Sequence, residues 1–105
     1  MFASQFKSIM KKQQIVNLLQ QNLGQLIEMD VQRLAVFGSV ARDEATEQSD
    51  VDILVAFAHS TTFDKYMKLL FFLEDLVGRP VDLVTEQALR TQLKPSIERD
   101  AIYVA

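Results

Sequence analysis

Three aspartates stand where apolar strands are expected. Asp50 and Asp52 flank Val51 at the head of the run Val51-Asp-Ile-Leu-Val-Ala-Phe57, which is rich in β-branched and aromatic residues. Asp82 interrupts a second such run, Val81-Asp-Leu-Val84. Alternate side chains of a strand share a face, so Asp50 and Asp52 emerge together, roughly 6 to 7 Å apart along the backbone. If the two runs pair as neighbouring strands, Asp82 joins them. Converging carboxylates repel, two charges roughly 4 Å apart by about 4 kcal/mol at an effective dielectric near about 20. A divalent cation removes that cost. The chain has no Cys and a single His, so such an ion would be held by oxygen, which suits Mg²⁺ or Mn²⁺.

Gly38 and Ser39 follow another short apolar run, Arg33-Leu-Ala-Val-Phe37. Glycine lets the backbone approach a ligand closely, and Ser39 opens a helical turn whose unpaired N–H groups favour an anion. Taken alone, a serine here is more often just an N-cap, and the two roles are compatible. A phosphate cradle opposite carboxylate-held metal is the arrangement of phosphoryl and nucleotidyl transfer, in which two ions can flank the reacting phosphorus.

The elements that must position these groups are legible from periodicity. Apolar residues at spacings of three and four predict a helix from Phe6 to Leu23, interrupted at Gly24, with a further turn from Gln25 to Met29. A strand over Arg33–Phe37 leads to the Gly-Ser turn, one or two helical turns over Val40–Ala45, and a polar loop over Thr46–Ser49. After the strand Val51–Phe57, Ser60, Thr61 and Thr62 are cap-type residues ahead of a helix over Phe63–Val77, which Gly78 and Pro80 end. That helix is apolar on more than one face, and its outer aromatics suit a protein interface. A strand over Val81–Thr85, a helical region over Glu86–Arg99 broken at Pro95, and an edge strand within Ala101–Val104 complete the chain. Strands alternating with helices predict one α/β (α+β) domain over residues 1–105, with a mixed sheet of three or four strands and helices packed on it.

Composition narrows the function classes. The 105 residues are 49% hydrophobic and 24% charged, ordinary values for a folded domain. The net charge of −3, with Lys and Arg scattered, offers no basic stripe for DNA or RNA. Neither a membrane-spanning run nor the basic-then-apolar order of a signal peptide is present, so a soluble cytoplasmic protein without a membrane partner is expected.

Phe37-Gly-Ser-Val-Ala-Arg42, Ser49-Asp-Val-Asp-Ile-Leu-Val55 and Arg79-Pro-Val-Asp-Leu-Val84 together resemble the GS, spacer, DxD signature of the DNA polymerase β-like nucleotidyltransferase superfamily. Along nearly its whole length the chain looks like the smallest branch, the minimal nucleotidyltransferases (MNT) encoded beside HEPN-domain toxins. The resemblance implies that Asp50, Asp52 and Asp82 are catalytic and hold two metal ions, Mg²⁺ or Mn²⁺, with Asp82 helping to activate the attacking hydroxyl. Gly38, Ser39, Arg42 and Ser49 would bind the nucleoside triphosphate, most simply ATP. It further implies transfer of AMP to a hydroxyl, typically tyrosine, of a HEPN toxin that is thereby silenced. The alternative is an antitoxin of the same fold that neutralises its partner by contact alone; a homodimer or hetero-oligomer is expected in either case.

The resemblance departs at one place. Many members follow "AR" with glycine, where this chain has Asp43 and then Glu44. If that position is left-handed, aspartate bears it better than most residues, and two acids beside a triphosphate weaken the field. Other polar residues have plainer readings: Arg42 either steadies the triphosphate or pairs with Asp43 or Glu47, Arg79 and His59 read as surface residues, with contact between Arg79 and the site as the alternative, and Glu98, Arg99 and Asp100 read as a solvated helix end, with a C-terminal acid facing the cleft as the alternative.

Overall fold

Val51, Ile53, Val55 and Phe57 alternate with Asp52, Leu54 and Ala56, which gives one strand two chemically different faces and organises the rest of the chain. The computed structural model describes residues 11–46, 48–88 and 100–105. In chain order these form α1 (Lys12–Gln20), α2 (Leu23–Glu28), β1 (Val31–Phe37), α3 (Gly38–Ala41), β2 (Val51–Phe57), α4 (Phe63–Val77), β3 (Val81–Thr85) and β4 (Ile102–Tyr103). The strands make one mixed sheet in the order β3-β2-β1-β4, with β2 and β4 antiparallel to β1 and β3 parallel to β2. The four-stranded mixed sheet with helices is the fold class the sequence predicts.

The helices cover one face of that sheet. Ile15 and Leu19 of α1, Leu26 of α2, and Leu69, Leu73 and Val77 of α4 form one core with Leu34, Val36, Ile53, Val55 and Leu83 of the strands. On the other face Ala35, Phe37 and Leu54 make a smaller cluster with Val84 and Ala101. Asp52 and Asp82 have the parity of this second face, away from the main core.

Helix α4 has the span its signals predict. Thr62 Oγ1 accepts a hydrogen bond from Lys65 N (3.2 Å) as an N-cap, and Gly78 closes the other end in the left-handed region at φ 69°. Its outer face keeps Phe63 and Phe71 exposed, at 80% and 60%.

Three boundaries differ from expectation. The predicted N-terminal helix breaks at Gln21–Asn22, and Gly24 falls inside α2. Asn22 Nδ2 donates to Leu18 O (2.9 Å) and Asn22 N to Leu19 O, so this side chain competes with the next helical turn and stops α1 where glycine was expected to. Strand β1 begins at Val31, not Arg33, because Val31 already pairs with Phe57. The turn after Gly38 is shorter than expected, four residues ending at Ala41. Residues 1–10 and 89–99, with the start of the first predicted helix, the Pro95 break, Glu98 and Arg99, lie outside the described residues, as does Glu47.

Asp30 anchors the entry to β1. It is left-handed at φ 70°, and its carboxylate accepts from His59 N (3.0 Å) and Lys65 Nζ (2.6 Å) and meets His59 Nδ1 (2.7 Å). The Lys65 ammonium first, and then His59, hold it below the usual carboxylate range. His59 is exposed, as expected, yet tied down.

Leu73 is fully buried at the centre of the main core. Leu73→Ala is expected to lower the unfolding free energy in a urea titration by about 2 to 5 kcal/mol, the transfer cost plus that of an unfilled cavity.

Candidate active site

Strand register brings the predicted aspartates together. Asp52 lies directly across from Asp82 in the parallel β2–β3 pair, and across from Phe37, the residue before Gly38, in the antiparallel β1–β2 pair. Adjacent strands are about 4.8 Å apart, so the two carboxylates and the Gly38 turn share one end of the sheet. Asp50 continues the same face one pleat earlier. It is exposed, as is Asp82, while Asp52 between them is partly buried.

Burial pushes the Asp52 carboxyl up to about 6, and the negative charges of Asp82 and then Asp50 add to the shift, while Arg42 opposes it. Asp82, Asp50 and Arg42 are therefore all within electrostatic reach of Asp52. Among the described residues no group of three or more His, Cys, Asp or Glu closes into a metal cage. The donor set is nonetheless what a hard cation takes: carboxylate oxygens only, mutually repelling, on one exposed face.

Gly38 is required by this packing. Its φ is 71°, and a Cβ placed there would run into the Asp52 carboxylate. Only glycine leaves that carboxylate its place while turning the chain from β1 into α3. Ser39 follows at the start of α3, where the first backbone N–H groups lack helical partners. Cradle and acids thus adjoin through a contact that excludes a side chain.

The described residues between Arg42 and Ser49 bond both among themselves and to Lys12, Asp100 and Arg79. Arg42 Nε bonds Glu44 Oε1 (3.0 Å) and Nη1 bonds Asp100 Oδ2 (3.3 Å), so its guanidinium serves surface ion pairs near Asp52. Asp43 is left-handed at φ 59°, a backbone region that aspartate bears better than most residues. Its Oδ1 accepts from Lys12 N (2.9 Å) and so caps the start of α1. Ser49 Oγ accepts from Thr46 N (2.9 Å) and lies 3.3 Å from Thr46 Oγ1, directing the hydroxyl into the loop.

Arg79 was expected on the surface. Instead it is half-buried, and Nη1 donates to Thr46 O and Ser49 O, both at 3.1 Å. An arginine before proline at a strand entry carries no periodic signal, so only the folded chain reveals its partners. Tyr66 of α4 donates its hydroxyl to Leu83 O (2.6 Å), one residue beyond Asp82, and burial and then Asp82 raise its pKa.

Two cavities lie at the opposite end of the sheet, one of about 380 Å³ lined by Glu28, Met29, Asp30, Lys65 and Lys68. The other, about 290 Å³, is lined by residues including Gln32, Arg33, His59 and Thr85. Neither includes a predicted site residue. Both cavities are lined largely by charged and polar side chains, and the acidic face at Asp50, Asp52 and Asp82 is separate from them.

The fold and this face define a nucleotidyltransferase-type domain. The chain belongs to that family: the sequence pattern of the nucleotidyltransferase domain matches residues 12–104. It is 48% identical over 75 residues to a candidate protein adenylyltransferase of Methanocaldococcus jannaschii, covering 70% of this chain and 76% of the relative. It is 42% identical over 74 residues to the protein adenylyltransferase MntA of Thermococcus cleftensis, covering 70% and 75%. Among solved structures, a candidate minimal nucleotidyltransferase aligns with TM-score 0.76 at 38% identity, covering 89% of this chain and 95% of that one. The complex of a tri-AMPylated Shewanella oneidensis HEPN toxin with its MNT antitoxin aligns with TM-score 0.55 at 22% identity over 82% of this chain and 71% of that one, a likeness of fold.

Two predictions come from Asp52. A carboxyl whose folded pKa lies above its unfolded value of 3.8 binds protons more tightly when folded, so its contribution to stability falls as pH rises through about 6. In EDTA, Asp52→Asn is therefore expected to melt above the wild type, by a margin that grows from about pH 4 to about pH 7; a constant margin would place the pKa elsewhere. Gly38→Ala is expected to lose about 1 to 2 kcal/mol from the left-handed backbone alone in urea unfolding, and to displace the Asp52 carboxylate.

Proposed function

We propose that this chain is a metal-dependent protein adenylyltransferase that moves AMP from ATP to a hydroxyl, most simply that of a tyrosine, on a HEPN-domain toxin, and acts as its antitoxin. The observation that carries the reading is the register of Asp52 against Asp82 beside the Gly38 turn. Relatives named protein adenylyltransferases, at 42% and 48% identity, support the chemistry, and a complex in which an MNT antitoxin accompanies an AMPylated HEPN toxin supports the partner.

The residues divide the work by position. Gly38 and Ser39 present backbone N–H groups and a hydroxyl to the β- and γ-phosphates, and Arg42 adds positive charge at the rim. Asp50, Asp52 and Asp82 would hold Mg²⁺ or Mn²⁺, which supplies charge neutralisation of the triphosphate and a lowered pKa for the acceptor hydroxyl. The acceptor oxygen attacks the α-phosphorus in line; the new O–P bond forms as the bond to the bridging oxygen of pyrophosphate breaks. Asp82, exposed at the face's edge, receives the hydroxyl proton. Such transfer needs little covalent help from the protein, so most of the rate comes from positioning and electrostatics.

A contact-only antitoxin is favoured by a different observation, the exposed Phe63 and Phe71 on α4. The two readings separate in one assay. With ATP labelled at the α-phosphate, Mg²⁺ and the HEPN protein encoded beside this chain, the partner is expected to take up label. Asp50→Ala and Asp52→Ala are each expected to reduce the labelling at least about a hundredfold, as loss of a principal electrostatic group does. Unlabelled toxin that is nevertheless neutralised, by wild type and mutants alike, would overturn the catalytic reading in favour of contact.

A further inference from the structure

We propose that Arg79 is a positioning residue for the metal-binding face, acting through the backbone on either side of Asp50; this rests on the functional reading above. Asp50 lies outside β2 and is exposed, so neither ladder pairing nor core packing fixes its side chain. Its two neighbours are both anchored to one short segment. Ser49 O accepts from Arg79 Nη1 (3.1 Å), and Val51 N donates to Pro80 O (3.0 Å). The same guanidinium nitrogen also reaches Thr46 O (3.1 Å), which closes the 46–49 turn.

That segment is itself held. Glu74 Oε2 of α4 accepts from Val81 N (3.0 Å), so the connection from α4 into β3 is pinned by the helix that packs on the sheet. Asp82 is the next residue. One continuous stretch, Arg79-Pro-Val-Asp82, therefore carries one carboxylate and sets the backbone that carries the other two. Hydrogen bonds to a charged donor are stronger than neutral ones, and a half-buried guanidinium between two carbonyls restrains a turn that would otherwise relax under repulsion among the acids. Arg79 touches no reacting atom in this scheme. It fixes where Asp50 stands relative to Asp52 and Asp82, and misplacement of catalytic groups by about 1 Å can cost about a hundredfold in rate.

The test compares wild type, Arg79→Ala and Arg79→Lys. Arg79→Ala is expected to lower kcat for AMP transfer to the HEPN partner about 10- to 100-fold, and to raise the Mg²⁺ concentration at half-maximal rate severalfold. Methylguanidinium added to Arg79→Ala should restore part of the rate and give none to Asp50→Ala, while Arg79→Lys should fall between. In the free chain, hydrogen exchange at the Val51 amide should quicken about tenfold or more in Arg79→Ala, with exchange in β1 unchanged. A kcat and a Mg²⁺ midpoint within twofold of wild type would overturn the proposal. So would a general loss of fold that neither lysine nor methylguanidinium relieves. A wild type that transfers no AMP would overturn the functional reading instead; the exchange at Val51 would still decide the clamp, unchanged exchange sinking it.

Discussion

The candidate site depends on β2 lying parallel to β3 in the register that sets Asp52 against Asp82. Two like charges oppose this pairing, by about 1 kcal/mol at 4 Å if water screens them fully and about 4 kcal/mol at the lower effective dielectric of a protein surface. The opposite faces of the same strands outweigh that. Val51, Ile53, Val55, Val81 and Leu83 are buried under the helices, and each such side chain contributes roughly 1.5 to 3 kcal/mol. A slip of one residue in either strand would turn that strand over, putting its aspartate into the main core and its buried valines onto the acidic face. The hydrophobic alternation thus holds the acids together, and a bound cation would act on a face already assembled.

Gly38 belongs to the same constraint. The turn out of β1 must pass beside the Asp52 carboxylate in a left-handed conformation, so the cradle and the acid pair are parts of one packing arrangement. Whatever moves Asp52 also moves the space that a phosphate would use.

Both non-glycine residues with positive φ are aspartates, Asp30 and Asp43, among the described residues. In each the carboxylate has captured donors distant in sequence: Lys65 and His59 for Asp30, and the Lys12 amide for Asp43. A left-handed backbone costs about 1 to 2 kcal/mol beyond glycine, and hydrogen bonds of this kind offset it. Asp43 and Glu44 read in sequence as two surplus acids facing a triphosphate. In the folded chain one caps α1 and the other pairs with Arg42, so their charge is partly engaged in joining the first helix and the β1–β2 loop to the site.

Most of the architecture was legible because it follows from local rules. Period-two alternation placed β2 and β3, cap and glycine signals placed both ends of α4, and the Gly-Ser turn with the DxD pair marked the candidate site. Two of the features placed differently involve a polar side chain choosing a partner, whereas the earlier start of β1 comes from Val31 pairing with Phe57. Asn22 ends α1 by bonding Leu18, and Arg79 leaves the surface to bridge Thr46 and Ser49. Ser49 and Arg42 bond within their own loop and to Asp100, contacts that leave Arg42 close enough to act on Asp52. The sequence by itself determined which residues carry charge and which strand face each occupies, because alternation and burial are properties of the local chain. Only the tertiary structure decided which strands are neighbours, and hence that Asp82 meets Asp52 and that Arg79 brackets Asp50, because those contacts join residues some thirty apart whose pairing no local periodicity encodes.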